Sequence, residues 1–404
     1  NEVLKVPRDM MRLWAHETER VYKDKLSDLN DVGTFNKTQN DCIRKNFEEM
    51  DDQIKLPLIF SHFAKGIGEN KYAQIPEWDD LDRILSDALR GYNEMYAAMD
   101  LVLFEDAMMH ICRINRILEI PNSNALLIGV GGSGKQSLSR LAAFLSSMEV
   151  FQINLRKGYG IQDLRSDLGA LYLKAGLKNL GCVFLMSDGQ VVDEKFLVLG
   201  NTFLASGEVP DLFSDDQIED IIGTVKSEVK SAGMNDTREN CWKFFIERVK
   251  KQLKVVLCFS PVGNVLRVRA RKFPAIVNCT NIDWFHEWPH QALISVSTNF
   301  LKDSDDIAEN ILGSVAELMA FVHTSTNLSS KSYEVTDKKL NYTTPKSFLE
   351  LINLYTSLLA KQNVEMKNRI KRLGSGLEKL KKTKELVDEL KEELAVQEKE
   401  LDKK

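Results

Sequence analysis

The 404-residue sequence has no Cys-x-x-Cys pair, no apolar run long enough to span a membrane and no strong excess of either charge. Its six cysteines, Cys42, Cys112, Cys182, Cys241, Cys258 and Cys279, are scattered, with no histidine at metal-ligand spacing. That scatter argues against a zinc site and against a disulfide framework, and predicts a reducing interior as the protein's home. No stretch approaches the roughly eighteen apolar residues of a transmembrane helix, so no membrane partner is expected. A formal net charge of -5 gives no overall pull toward nucleic acid or anionic lipid. The start, Asn1-Glu-Val-Leu-Lys5, lacks a charged opening and an apolar core, and reads as the inside of a longer chain.

What is present is a globular composition, 43% hydrophobic and 28% charged, at a length that predicts two or three domain-sized units. Residues 1–98 show helical periodicity, as at Leu81, Ile84, Leu85 and Leu89, and no visible chemistry. Over 99–300 short apolar runs alternate with amphipathic segments: Ala125-Leu-Leu-Ile128, Val150-Phe-Gln-Ile153, Cys182-Val-Phe-Leu-Met186, Val255-Val-Leu-Cys-Phe259 and Ala275-Ile-Val277. Buried strands between helices predict an α/β fold with a mostly parallel sheet. After Trp288-Pro289 the strand signals fade, segments such as Ile307–Ala320 and Ser347–Leu359 recur at helical spacing, and the last helix does not stop. Steps of seven from Ile352 meet Leu359, Met366, Leu373, Leu380, Val387, Leu394 and Leu401, the stripe of a coiled-coil strand. The second seam position carries Leu377, then Lys384, Lys391 and Glu398, so the partner helix is expected from outside this chain.

Chemistry concentrates in Gly129-Val-Gly-Gly-Ser-Gly-Lys135, which follows an expected strand and precedes the expected helix Gln136–Phe144. In that context the pattern is a P-loop. Backbone N–H groups of Gly129, Val130, Gly131, Gly132, Ser133 and Gly134 turn toward phosphate, a helix N-terminus adds positive charge, and Lys135 reaches the β- and γ-oxygens. The hydroxyl that ordinarily meets Mg²⁺ is replaced by Gln136, with Ser137 one residue too late, so metal binding is expected to be weak. The acidic element should end a buried strand, and Cys182–Gly189 is the best candidate. Two registers fit. Either Ser187 holds the metal position and Asp188 stands where a base would activate water, or Asp188 is the metal carboxylate and Gly189 leaves no base. Asp188 also suits a helix cap.

These residues, with Leu13-Trp-Ala-His-Glu17, Gly207-Glu-Val-Pro-Asp-Leu-Phe213, Phe273-Pro-Ala-Ile276 and Thr344-Pro-Lys346, resemble the fourth AAA+ module of dynein heavy chains. Gly134-Lys-Gln-Ser137, Val192-Asp-Glu-Lys-Phe196 and Ile282-Asp-Trp-Phe-His-Glu-Trp288 look like axonemal, inner-arm-type chains. The resemblance implies four parts: the helical lid of the preceding module (1–98), a large AAA+ α/β domain (99–300), a small helical lid (301–360) and the start of an antiparallel stalk (361–404). It implies ATP or ADP as the bound nucleotide, Mg²⁺ held weakly through Gln136, Ser187 and Asp188, and Lys346 as the lid residue facing nucleotide. It favours the register with Ser187 at the metal position and Asp188 at the catalytic one. Ser260 replaces a sensor Asn and Cys279 an Arg offered to the neighbouring module. Implied partners are neighbouring AAA+ modules of the same heavy chain, the second stalk strand and a microtubule at the distal stalk tip. The implied location is the cytoskeleton of a ciliary or flagellar axoneme.

The parts that hold phosphate survive while those that order metal, activate water and stabilise transition-state charge are altered, so binding with little hydrolysis is expected. The competing reading is a catalytically active ATPase. A kinase-like transferase would need an Arg-rich lid over a second substrate, and the coiled-coil exit is foreign to it. The basic run Arg267-Val-Arg-Ala-Arg-Lys272 lacks interleaved aromatics and predicts a solvated or salt-bridged helix face, with no nucleic acid partner. His110 is expected to be a satisfied core histidine, and Trp284, Phe285 and Trp288 to pack between the sheet unit and its lid.

Overall fold

The computed structural model describes residues 6–46, 57–68, 71–99, 101–302 and 307–401. The chain divides into two compact units, Asn1–Trp288 with Thr344–Lys346, and Pro289–Thr343 with Ser347–Lys404. The first unit opens with α1 (Pro7–Tyr22), a 3-10 turn (Lys23–Lys25) and α2 (Leu29–Asn46). A hairpin of β1 (Ile59–Ser61) and β2 (Ala73–Ile75) follows, then α3 (Trp78–Met95) and α4 (Glu105–Glu119). The hairpin occupies the stretch between the helices expected over residues 1–98; three-residue strands are too short for their periodicity to register.

The chain then runs through β3 (Ala125–Gly129), α5 (Lys135–Leu145), β4 (Glu149–Gln152), α6 (Ile161–Gly176) and β5 (Cys182–Ser187). After a 3-10 turn at Asp188–Gln190 come α7 (Lys195–Ser206), α8 (Asp215–Ser231), α9 (Arg238–Gln252) and β6 (Leu253–Phe259). The unit closes with α10 (Val265–Lys272), α11 (Ala275–Asn278) and β7 (Asn281–Phe285). Ala275–Val277, expected as a strand, is helical. The fifth strand lies six residues later, where the buried Asp283 interrupts the apolar signal.

The five strands form one sheet in the order β4-β5-β6-β3-β7, and every pairing is parallel. Side chains alternate between its faces with period two. From β5 and β6, Phe184, Met186, Val255 and Leu257 enter a core completed by α6 to α9, while Val183, Leu185, Val256 and Cys258 enter one completed by α3, α4 and α5. Both faces are therefore covered, which is why the strands read as unbroken apolar runs. A smaller cluster of Met11, Ala15, Ile43, Leu58 and Phe60 seats α1 and α2 on the first hairpin strand.

The second unit holds α12 (His290–Lys302), α13 (Glu309–Asp337) and most of α14 (Pro345–Leu401), which starts on a proline whose missing N–H costs nothing at that position. Leu293, Val296, Ala316, Met319, Ala320, Phe348 and Ile352 are buried, and the His323 ring meets Phe348 edge-on at 5.1 Å. The 57 residues of α14 extend about 85 Å at the usual helical rise. From Met366 to Leu394 its heptad stripe stands in solvent, with Leu373 and Leu380 each 72% exposed. The side chain of Leu401, the last position of that stripe, lies outside the described residues.

Candidate nucleotide site

The carboxyl ends of β5, β6 and β3 lie side by side, with Ser187 paired to Cys258 and Ile128 to Phe259. This edge, where strands hand over to loops and helix N-termini, is where open α/β sheets bind ligands. The glycine loop leaves β3 at Gly129 and enters α5 at Lys135, with Gly132 and Gly134 at φ 79° and 84°. Those left-handed conformations favour glycine, and the Ser133 N–H between them donates to the Val130 carbonyl at 3.4 Å. Gly129 and Ser133 are buried, Val130 and Gly134 half-buried, and Gly131 and Gly132 exposed.

Lys135 folds back over this loop. Its Nζ donates to the carbonyls of Gly129 (2.7 Å) and Val130 (2.8 Å) and to Ser133 Oγ (3.0 Å). Burial holds its pKa below the ordinary lysine value, opposed by the nearby Asp188 carboxylate. Beneath it lies Cys258, whose thiol burial pushes up to about 12. The ammonium is thus poised on three weak acceptors that an anionic phosphate would replace.

The metal side is arranged differently. Gln136 is exposed and its Oε1 accepts from Gln152 Nε2 at 3.0 Å, while Arg140 donates to Gln152 Oε1. Ser187 donates through both Oγ (3.1 Å) and its backbone N–H (2.9 Å) to Gln190 Oε1, and Gln190 Nε2 donates to the Ile153 carbonyl. Asp188 Oδ1 pairs with Arg269 Nη1 at 2.7 Å, and Oδ2 accepts from the Ser260 N–H. Ser137 is half-buried on the first turn of α5. No group of three or more His, Cys, Asp or Glu among the described residues could hold a metal ion. Mg²⁺ needs a near-ideal octahedral set of hard oxygens. Gln136, Ser187 and Asp188 are each committed to protein partners, so they do not fit it.

Lys346, in the first turn of α14, packs its backbone against Gly132. On the opposite flank a β-carbon at Gly129 would stand 2.6 Å from Phe285 Cβ, so β7 presses on the start of the loop. The His110 ring stacks on Phe285 at 3.8 Å and its Nδ1 is 2.7 Å from Asp283 Oδ2, the satisfied histidine expected. Arg113 Nη1 bonds the other Asp283 oxygen at 3.0 Å and reaches Asp24 at 3.4 Å. Burial acts to raise the Asp283 carboxyl, but His110 and Arg113 outweigh it and hold it below the usual range. The aromatics of β7 serve the first unit's own core: Phe285 and Trp284 pack on opposite faces of the sheet and Trp288 meets Phe104 edge-on at 5.3 Å.

The basic run forms α10. Arg269 meets Asp188 and Lys272 meets Glu194 (2.7 Å), whereas Arg267 and Arg271 are exposed. Cys279, just past α11, is exposed. Sequence reasoning missed the specific role of Arg269, which is 81 positions from its partner, and the roles of Gln152 and Gln190. Gln190 carries a local signal, the S-x-x-Q capping box that Ser187 opens, whereas no local pattern marks Arg269 or Gln152.

The family described as "P-loop containing dynein motor region D4" matches residues 99–358, and the one described as "AAA+ lid domain" matches residues 1–57. The chain is 59% identical over 405 residues to "Dynein beta chain, ciliary" of Tripneustes gratilla, which covers 100% of this chain and 9% of that protein. It is 57% identical over 405 residues to human "Dynein axonemal heavy chain 17", with the same coverage of each. With "Dynein beta chain, flagellar outer arm" of Chlamydomonas reinhardtii it shares 43% identity over 386 residues, 94% of this chain and 8% of that one. The chain therefore spans less than a tenth of the length of these relatives. None of the three names specifies an inner arm and one specifies the outer arm, so the inner-arm subtype gains no support.

Proposed function

The chain belongs to the dynein heavy chain family, and from that premise we propose that it is a ring module that holds ATP or ADP with little hydrolysis of its own. One observation carries this reading. The phosphate side of the site is intact and poised, while Gln136 and Ser187 on the metal side are bonded to Gln152 and Gln190. Weak Mg²⁺ binding follows, and with it weak stabilisation of charge on a transferring phosphoryl group.

In the whole motor such a module acts as a regulatory or structural part whose nucleotide biases the ring. The four-part division at 98, 300 and 360 belongs to the same proposal. So do the partners: adjacent AAA+ modules, the second stalk strand packing on the exposed stripe of α14, and a microtubule at the distal tip. The names of the relatives support a ciliary or flagellar axoneme as the location.

A second reading, a module that turns over ATP, is favoured by the placement of Asp188 at the end of β5 beside Lys135. Calorimetric titration with ATP and ADP, with Mg²⁺ and with EDTA, beside a phosphate-release assay separates the two. The holding role predicts binding with release near background. Turnover of about one per second, the low end of ordinary enzyme rates, abolished in Lys135→Ala, supports the second reading, and absence of nucleotide binding removes both.

A further inference from the structure

Asp188 follows β5 at the point where a base would act on water, and each of its oxygens accepts one hydrogen bond. Oδ1 receives Arg269 Nη1 at 2.7 Å and Oδ2 receives the Ser260 N–H. Arg269 arrives from α10, and its guanidinium lies over the Phe259 ring, 5.5 Å from the centroid. The side chain is only 12% exposed, and its Nε is buried without a hydrogen-bond partner. A guanidinium sunk this far, with one donor left unsatisfied, would cost stability if the carboxylate did not compensate it. The guanidinium is therefore the buried partner, while the carboxylate, 36% exposed, still meets solvent.

We propose that Arg269 is a latch on Asp188 that competes with an attacking water and with divalent metal for that carboxylate at the nucleotide site. The proposal rests on the nucleotide-holding reading above and supplies its cause. In the suppressed step, the oxygen of water bonds to the γ-phosphorus. The bond from phosphorus to the bridging oxygen breaks, its electrons leave with ADP, and a proton of the water passes to a carboxylate. A carboxylate that has accepted this proton no longer compensates the Arg269 charge, so proton uptake by Asp188 competes with the Arg269 bond. The same bond removes the only carboxylate among the three metal candidates. Because the latch belongs to the same module, it needs no neighbouring chain to act.

The test uses the 404-residue chain and the variants Arg269→Ala, Arg269→Lys and Arg269→Ala/Asp188→Asn, titrated with ATP in Mg²⁺ and in EDTA and assayed for phosphate release. In the wild type, ATP affinity is the same with and without Mg²⁺ and release is at background. Arg269→Ala binds ATP about tenfold more tightly with Mg²⁺ than without, and releases phosphate about tenfold faster or more, a fraction of what a freed general base contributes. Both gains vanish in the double variant, and Arg269→Lys, which keeps the charge, stays near the wild type. A folded Arg269→Ala that binds ATP in EDTA like the wild type and shows neither gain overturns the latch. Gains that persist in the double variant overturn it too. Should Arg269→Ala not fold, Arg269→Gln takes its place with the same expectations, and loss of fold in both makes Arg269 a structural residue and ends the proposal. A wild type that binds neither ATP nor ADP fails the nucleotide-holding reading itself.

Discussion

Lys346 lies against Gly132 so closely that a β-carbon on Gly132 would stand 2.4 Å from Lys346 Cβ and 2.9 Å from its backbone nitrogen. The second half of the glycine loop and the first turn of α14 therefore share one space. Only glycine fits there, both for that space and for its φ of 79°. Gly132→Ala is expected to weaken ATP binding at least about tenfold, since the left-handed conformation alone costs about 1–2 kcal/mol. Calorimetry checks this, and an unchanged affinity would show that the loop and Lys346 separate freely.

Lys135→Ala removes the ammonium that rests on Gly129, Val130 and Ser133. ATP and ADP affinities should both fall about a hundredfold, the loss expected for one or two charged hydrogen bonds to phosphate. The circular dichroism spectrum should not change. A loss of helicity would instead make Lys135 a structural residue.

Asp283→Asn is expected to destabilise the chain by about 3 kcal/mol in urea, because the half-buried Arg113 is left with the more distant Asp24 as partner. The sign of its pH dependence follows from the lowered carboxyl pKa. The native stabilisation is complete above the unfolded carboxylate pKa and is lost as pH falls through the lower folded value. The gap between wild type and variant should therefore be constant near neutrality and close in acid. A gap that widens in acid would contradict the assignment.

Lys254 is a buried cation on the central strand β6, 1% exposed, donating to the Ile120 carbonyl. Burial lowers its pKa to about 8 from 10.5. Below pH 8 the cost of burying the charge is fully present, and it is relieved as pH rises toward 10.5. Lys254→Met should then stabilise the chain near neutrality by about 2 kcal/mol, the ionisation cost less one hydrogen bond. That advantage should shrink between pH 8 and 10.5 in urea titrations. A variant less stable than wild type at pH 7 would mean that the bond to Ile120 outweighs the burial cost.

The glycine loop and four of the five sheet strands were legible because their signals are local: fixed glycine spacing and apolar runs of strand length. Ala275–Val277 misled because three apolar residues carry no periodicity, while the true strand hides its character behind Asn281 and Asp283. Asp283 is buried only because α4 brings His110 and Arg113 to it from 170 or more positions away, and no local pattern records such a pairing. The same holds at the site. Asp188 was identified from the strand before it, but its partner Arg269 sat unassigned in a basic run that the structure turns inward at one residue. Long-range ion pairs flank this site, and they are what a single sequence conceals.

The central claim is that this module holds nucleotide without cleaving it. A single-turnover experiment tests it most directly: excess chain is mixed with γ-labelled ATP and Mg²⁺, quenched in acid at intervals, and the bound nucleotide separated. Bound ATP that remains ATP over many minutes is the predicted result. Conversion to ADP within seconds by the wild type, abolished by Lys135→Ala, would contradict it.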